Sequence, residues 1–316
     1  MEKDAGVNGT FEGALLVVLG ATASGKTRLG VDLARSLDGE IISVDSRQVY
    51  RGLDLGTGKD LHEYGDIRHH LIDCVDPDDE FCVYDFQKMC YRAIGEIEAR
   101  GKLPCLVGGS GLYLESVLLG YRMARVPENP GLRRELASWS DVALTQRLRQ
   151  SQPRLHNTTD LTSRTRLIRA IEIAEAPRDT IRVPELTRPR MVVLGIHWPR
   201  PVLRERIRRR LDQRLEAGLI DEVRHLLDRG VHHERLESLG LEYRWVSRHL
   251  RGEMDDPALR EGLARAIGQF AKRQETWFRR MERRGVAISW IEGGDRMSFQ
   301  ALRLCAGMGL STKAEQ

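Results

Sequence analysis

Eight residues, Gly20-Ala21-Thr22-Ala23-Ser24-Gly25-Lys26-Thr27, fit the pattern Gly-x-x-x-x-Gly-Lys-Ser/Thr. Glycines let such a turn point its N–H groups at an anionic oxygen, and the helix that follows adds the positive end of its dipole. Lys26 supplies a full charge, and the Thr27 hydroxyl is a ligand for Mg2+. All eight are candidate diphosphate-binding residues, with Thr27 the candidate metal ligand. The loop alone does not separate a nucleoside triphosphate from any other diphosphate. A P-loop ATPase also places a carboxylate beside the metal, usually at the end of a neighbouring strand. Asp45, after Ile41-Ile42-Ser43-Val44, and Asp73, after Leu71-Ile72, are the candidates. The better strand ends at Asp45. In an open α/β sheet the carboxyl ends of adjacent strands share one crevice, so Asp45 is expected to face the phosphate site. The plainer alternative is that Asp45 only caps a turn.

The elements that must position these groups follow from hydrophobic patterning. Leu15 to Leu19 reads as a buried strand and Lys26 to Leu37 as a helix stopped by Gly39. Glu40 to Val44, His70 to Cys74 and Leu103 to Val107 read as further strands, and Asp85 to Arg100 as a helix. Strands alternating with helices predict a doubly wound parallel sheet. From Val126 to Arg190 the strand signal gives way to arginine-rich helices punctuated by Pro127, Pro130, Pro153 and Pro177. Met191 to Ile196 resumes the β-type run. Beyond Pro201, Leu203, Ile207, Leu211, Leu215 and Leu219 recur every four residues, and a last long helix spans Asp256 to Arg284. The expected organisation is a P-loop NTPase-like α/β core, 13–125 and 188–316, with an inserted helical domain, 126–187, and flexible tails at 1–12 and 311–316.

Composition narrows the function. The 316 residues are 41% hydrophobic and 30% charged, as in a globular chain with one large core and a smaller satellite. The Met-Glu-Lys-Asp start and the short run from Leu15 lack the form of a signal peptide, and no stretch of about 20 apolar residues exists, so a cytoplasmic protein with no membrane role is expected. Five cysteines without a Cys-x-x-Cys pair read as buried free thiols rather than a disulfide framework or metal ligands. The net charge of +4 conceals a split: residues 1–121 carry 12 basic and 20 acidic groups, residues 122–316 carry 38 and 26. Of the 50 basic residues, 43 are arginine, which grips phosphate with a planar fork of donors. That split suggests a polyanionic partner such as nucleic acid; an arginine-rich solvated surface is the bland alternative.

Longer stretches then resemble one family. The Gly20–Thr27 loop, Ser43 to Lys59, Leu106 to Tyr113, Arg166 to Glu172 and Phe270 to Arg279, in that order, are similar to the tRNA dimethylallyltransferases (isopentenyl transferases). The resemblance spans nearly the whole chain. It implies transfer of a dimethylallyl group from dimethylallyl diphosphate to the exocyclic amine of the adenine 3′-adjacent to the anticodon, with release of diphosphate. It implies that Asp45 accepts the amine proton, that Lys26, the loop N–H groups and Mg2+ stabilise the leaving diphosphate, and that Ser110 donates a hydroxyl where the family more often has threonine. An arginine of the next segment, Arg206 or Arg210, is implied at the diphosphate. Asp45, Ser46, Arg47, Gln48, Thr165, Arg166, Arg169, Tyr243, Arg244, Lys272, Arg273 and Gln274 are the implied contacts with the tRNA anticodon arm. Trp277, on the same helix as Lys272, reads more readily as core than as a stacking platform.

Two stretches depart from the family pattern. Gly58-Lys59-Asp60-Leu61 stands in place of an Ala-Lys-Pro type, and Gly240-Leu241-Glu242-Tyr243-Arg244 in place of Gly-Tyr-Arg. A divergent bacterial subgroup without the eukaryotic zinc finger, acting as a monomer, is expected. The competing readings are an enzyme that prenylates free adenine nucleotides, a P-loop kinase or ATPase, and a non-catalytic RNA-binding protein.

Overall fold

The computed structural model describes residues 13–121, 123, 125–151, 161, 163–176 and 190–310. The expected tails, Pro153 and Pro177 lie outside them. Two compact units emerge, Arg122–Pro184 and the remainder of the chain.

In the larger unit, β1 (Ala14–Gly20), α1 (Lys26–Ser36), β2 (Gly39–Val44), β3 (His69–His70), α2 (Val83–Ala99), β4 (Leu103–Gly108) and α3 (Gly111–Leu118) come first. The insertion carries α4 (Pro130–Leu136), α5 (Asp141–Ser151) and α6 (Arg164–Glu175). The larger unit then resumes with β5 (Arg190–His197), α7 (Arg200–Glu216), α8 (Leu219–Asp228), α9 (His233–Leu239), α10 (Leu241–Leu250), α11 (Asp256–Arg283), β6 (Ser289–Glu292) and α12 (Met297–Gly307). Its six strands are all parallel, in the order β3-β2-β4-β1-β5-β6. β1 is apolar at successive positions because it lies inside the sheet and is covered on both faces. Leu16 and Val18 point into a core shared with α1 and α12. A second core joins the loop residues Val49, Tyr50 and Leu53 to α7, α8, α10 and α11.

Three expectations change. The strand expected over His70 to Cys74 pairs only at His69 and His70, because Leu71 and Asp73 take positive φ (63° and 54°), which a strand cannot accommodate. The four-residue leucine repeat breaks at Gly218, φ 100°, where α8 begins. The cysteines are all free, but only Cys90, Cys105 and Cys305 are buried; Cys74 is half-buried and Cys82 is exposed at the start of α2.

The insertion has its own core of Leu136, Leu144, Leu148, Leu167 and Ile171. Glu172 is fully buried beside it. Burial works against its charge, but hydrogen bonds from Arg133, the Asn129 N–H and Arg169 prevail and hold the carboxyl down at about 2.

Candidate active site

The turn after β1 uses its glycines as the pattern requires. Gly25 lies at φ 88°, and a side chain on Gly20 would come within 2.5 Å of the Ser24 hydroxyl. Two loop donors are already engaged: Thr22 N–H donates to Gln274 Oε1 (2.8 Å) and Ser24 N–H to the Ala21 carbonyl (3.2 Å). The N–H groups leading into α1 at Gly25, Lys26 and Thr27 are among the donors open to an anion. Ser24 is itself buried, and its hydroxyl has no hydrogen-bond partner among the described residues.

The neighbouring strands complete the crevice. β4 lies between β1 and β2, pairing Leu19 with Gly108 and Gly108 with Val44, so the chain leaves all three strands at one edge. Ser46 N–H donates to Ser110 Oγ (3.1 Å), and Arg47 N–H to Asp45 Oδ1 (2.8 Å). Asp45 is thus pinned by an Asx turn while remaining half-exposed. It lies close enough to Lys26 to favour its charge. Burial outweighs that attraction and, with Arg210 and Arg214 adding repulsion, lowers the ammonium to about 8. Asp73, the other candidate, is excluded by its partner: Lys59, almost wholly buried, bonds Asp73, Asp54 Oδ1 (2.6 Å) and the Tyr50 carbonyl (2.8 Å).

The two arginines offered by α7 divide the work. Arg206 donates Nε to the Ala23 carbonyl (2.8 Å) and lies 4.4 Å over the Trp198 ring, bracing the loop from outside. Trp198 Nε1 donates to the Ser24 carbonyl at 3.0 Å and completes that brace. Arg210 reaches the crevice beside Lys26 and donates to Asp60 Oδ2 at 3.0 Å.

Several residues implied at the RNA are turned inward. Gln48 accepts from Ser43 Oγ (2.7 Å) and donates to the Gly58 carbonyl (2.9 Å), which consumes both ends of its amide. Tyr243 is fully buried and donates its hydroxyl to Glu222 Oε1 (2.6 Å). Glu222, which sequence reasoning did not single out, also accepts the N–H groups of Asp54, Leu55 and Gly56 and so holds the loop before Gly58. Arg169 is bound to Glu172 and to the Val126 carbonyl within the insertion. Gln274 spans the crevice floor, from Thr22 N–H to the Gly109 carbonyl (3.0 Å). Gln48, Tyr243 and Gln274 are buried with polar atoms paired inside the protein, whereas 36% of the Arg169 side chain is exposed. Arg244 is exposed, with its guanidinium on the Glu237 carbonyl. Ser46 and Arg47 are half-exposed beside Asp45, and Thr165, Arg166, Lys272 and Arg273 are exposed. Trp277 is half-buried against Gly111, where a side chain on the glycine would meet the indole at 2.3 Å.

Beside the crevice, α7 and α11 border a groove of about 700 Å3 lined by Arg200, Arg204, Arg208, Arg260 and Lys272 among others. Its floor residues Ile207 and Leu211 also wall the small pocket of Thr22, Ala23, Arg210 and Arg214.

The double role of Gln274 gives a stability test. Gln274→Ala leaves Thr22 N–H and the Gly109 carbonyl without their partner, which costs about 1–3 kcal/mol for each buried group left unsatisfied. Urea denaturation should show a fall of that size, and a loss below about 0.5 kcal/mol would mean that water replaces the amide freely.

A glycine-bounded anion turn at the carboxyl edge of a parallel sheet, with a carboxylate on a nearby strand end, defines the class of P-loop α/β proteins. Residues 48–281 match the IPP transferase family, and residues 13–71 match the isopentenyl transferase family. The chain is 58% identical to tRNA dimethylallyltransferase 1 of Geotalea uraniireducens, covering 92% of this chain and 98% of that protein. It is 59% identical to tRNA dimethylallyltransferase 2 of Syntrophotalea carbinolica, over 88% of this chain and 94% of that one. The crystal structure of the tRNA isopentenylpyrophosphate transferase of Bacillus halodurans is similar, with a TM-score of 0.68, 34% identity, and coverage of 93% and 96% of the two chains. The chain belongs to the IPP transferase family.

Proposed function

We propose that this protein transfers a dimethylallyl group from dimethylallyl diphosphate to the exocyclic amine of the adenine 3′-adjacent to the anticodon of tRNA, releasing diphosphate. The observation that carries the reading is Asp45 standing across one crevice from Lys26. The curated relatives, named tRNA dimethylallyltransferases, support the substrates.

Adenine's amine is a poor nucleophile because its lone pair is delocalised into the ring, so a carboxylate that takes its proton as the bond forms lowers the barrier. The carbon–nitrogen bond forms, the carbon–oxygen bond to diphosphate breaks, and the proton passes to Asp45. Charge grows on the departing diphosphate, where Lys26, Arg210 and the N–H groups of Gly25 to Thr27 oppose it. The Ser110 hydroxyl accepts from Ser46 N–H at 3.1 Å, which supports a role in which its own proton is donated to the diphosphate. Mg2+ fits this donor set: among the described residues the half-buried Thr27 hydroxyl has no hydrogen-bond partner, and Mg2+ typically combines one or two protein oxygens with phosphate oxygens and water. When bound, it would neutralise charge on the diphosphate.

An anticodon-loop base is splayed out at modest cost, so the adenine enters the crevice while the phosphates of the arm meet exposed basic side chains. Arg166 on the insertion and Lys272 beside the arginine groove are among the exposed ones suited to do so. Arg166→Ala and Lys272→Ala should each raise the tRNA KM severalfold, reduce the salt slope by about one, and leave the rate at saturating tRNA nearly unchanged. A change in thermal stability alone would withdraw their RNA role. Among the described residues no helix is long and apolar enough to cross a membrane; a cytoplasmic monomer suits a free tRNA substrate.

The test is to incubate the protein with labelled dimethylallyl diphosphate and either unmodified tRNA or AMP, then to identify the modified nucleoside by mass. Transfer to AMP alone overturns the proposal. Steady phosphate release from ATP that depends on Asp45 would favour a P-loop ATPase instead.

A further inference from the structure

The two stretches that depart from the family pattern, at Asp60 and at Glu242, meet in space around Arg214. Arg210 Nη2 donates to Asp60 Oδ2 at 3.0 Å, and Arg214 Nη2 stands 3.5 Å from that same oxygen. That Arg214 atom is buried and, beyond this ion pair, has no hydrogen-bond partner among the described residues. Space for the pair exists only because residue 58 is glycine at φ 63°: a side chain there would lie 2.2 Å from Arg210 Nη2 and 1.7 Å from Arg214 Nη2. Asp60 caps the 3-10 turn Leu61–Glu63 from a left-handed backbone conformation, φ 45°. On the far side, Glu242 lines the same small pocket as Arg210, Arg214, Thr22 and Ala23. Lys26 lies within the field of both arginines, of Asp45 and of Asp60.

This arrangement sets a conflict for Arg210. A diphosphate at Lys26 competes with Asp60 for the same guanidinium. If Arg210 turns to the ligand, Asp60 is left as a half-buried carboxylate beside an incoming anion, and like charges at that separation repel. An idle donor already poised at the carboxylate removes the conflict. We propose that Arg214 is a positioning residue: when Arg210 releases Asp60 to grip the diphosphate, Arg214 takes the carboxylate over, so that Arg210 is freed without leaving a charge unpaired. The inference rests on the proposed diphosphate site at Lys26. It assigns Arg214 no contact with the substrate.

The test uses the intact protein and inorganic pyrophosphate as the probe, with affinity read by titration calorimetry and prenyl transfer read in parallel. R214M should weaken pyrophosphate about tenfold, the effect of roughly one uncompensated charge contact, and raise the KM for dimethylallyl diphosphate by a similar factor while leaving the tRNA KM unchanged. R214K, which retains a cation, should recover part of that loss. D60N in the R214M background should restore most of the affinity, because no carboxylate then needs a partner. D60N alone should tighten pyrophosphate severalfold by ending the competition for Arg210, and this arm stands even if R214M folds poorly. The proposal is overturned if R214M leaves the affinity unchanged, if D60N fails to rescue R214M (Arg214 then grips the ligand itself), or if D60N alone weakens binding. Lys26→Ala separates the two levels. Weak pyrophosphate binding in K26A with none of the expected changes at Arg214 and Asp60 ends only the hand-off; undiminished binding in K26A ends the diphosphate site as well.

Discussion

Asp45→Ala lowers the single-turnover rate of prenyl transfer by a factor on the order of 10² or more, while pyrophosphate affinity stays level or rises. The rate falls because the adenine amine loses the acceptor for its proton as the new bond forms. Affinity does not fall below about pH 7, where Lys26 stays charged without the help of Asp45 and removing a carboxylate from beside an anion site relieves repulsion. Asp45 also accepts the Arg47 N–H at 2.8 Å, so the alanine variant disturbs a turn as well as the chemistry. Asp45→Asn separates the two, because its amide oxygen keeps the turn bond and cannot take the proton. An equally slow Asn variant of normal stability assigns the loss to proton transfer. An Asn variant that works at the original rate would leave Asp45 a turn cap, and the proposed mechanism would fail.

Lys26→Ala has the second large effect, on both binding and rate. Lys26 faces the developing charge of the leaving group, so its removal should weaken pyrophosphate at least tenfold and slow transfer by about 10² or more. Its ammonium also gives the site a pH signature. Burial, Arg210 and Arg214 lower it from 10.5 to about 8 in the free protein. A bound anion favours the charged form and draws the value back up. Binding therefore takes up a proton when the pH is above about 8, and affinity falls as the pH is raised through that value, by up to tenfold per unit. Below pH 8 the lysine is already charged and its contribution is flat. Pyrophosphate itself loses a proton in this range, so calorimetry at several pH values compares the unaltered protein with K26A; an affinity that rose with pH relative to K26A would contradict the placement of Lys26.

The comparison of chain and fold turns on how far apart the interacting groups lie in sequence. The anion turn was legible because its requirements are local: Gly20, Gly25, Lys26 and Thr27 fix a backbone path within one strand–turn–helix unit. The parallel sheet was legible for the same reason, from apolar runs long enough to stand as strands. β6 was not, since its four residues are mostly solvent-facing and carry no apolar run. Nor was the short pairing of β3, where positive φ at Leu71 and Asp73 overrides a sequence that alternates plausibly.

At the site, residue type gave no sign of the internal partners that polar side chains had found. Gln274 and Tyr243 lie in motifs associated with RNA, yet one ties the anion loop to the β4 edge and the other anchors Glu222. Glu222 had no local signal at all; the N–H groups it accepts belong to a loop brought beside α8 only by folding.

The amino-acid sequence alone determined the anion-binding turn, the strand that ends at Asp45 and the family, because each is written in contiguous residues whose backbone geometry is local. Tertiary structure alone decided that Asp73 is held by Lys59, that Arg206 binds the Ala23 carbonyl while Arg210 binds Asp60, and that Arg214 shares Asp60 with Arg210. A charged side chain is committed by whichever partner lies nearest in space. That choice is made when distant segments pack, by burial and hydrogen bonding that no short stretch of chain contains.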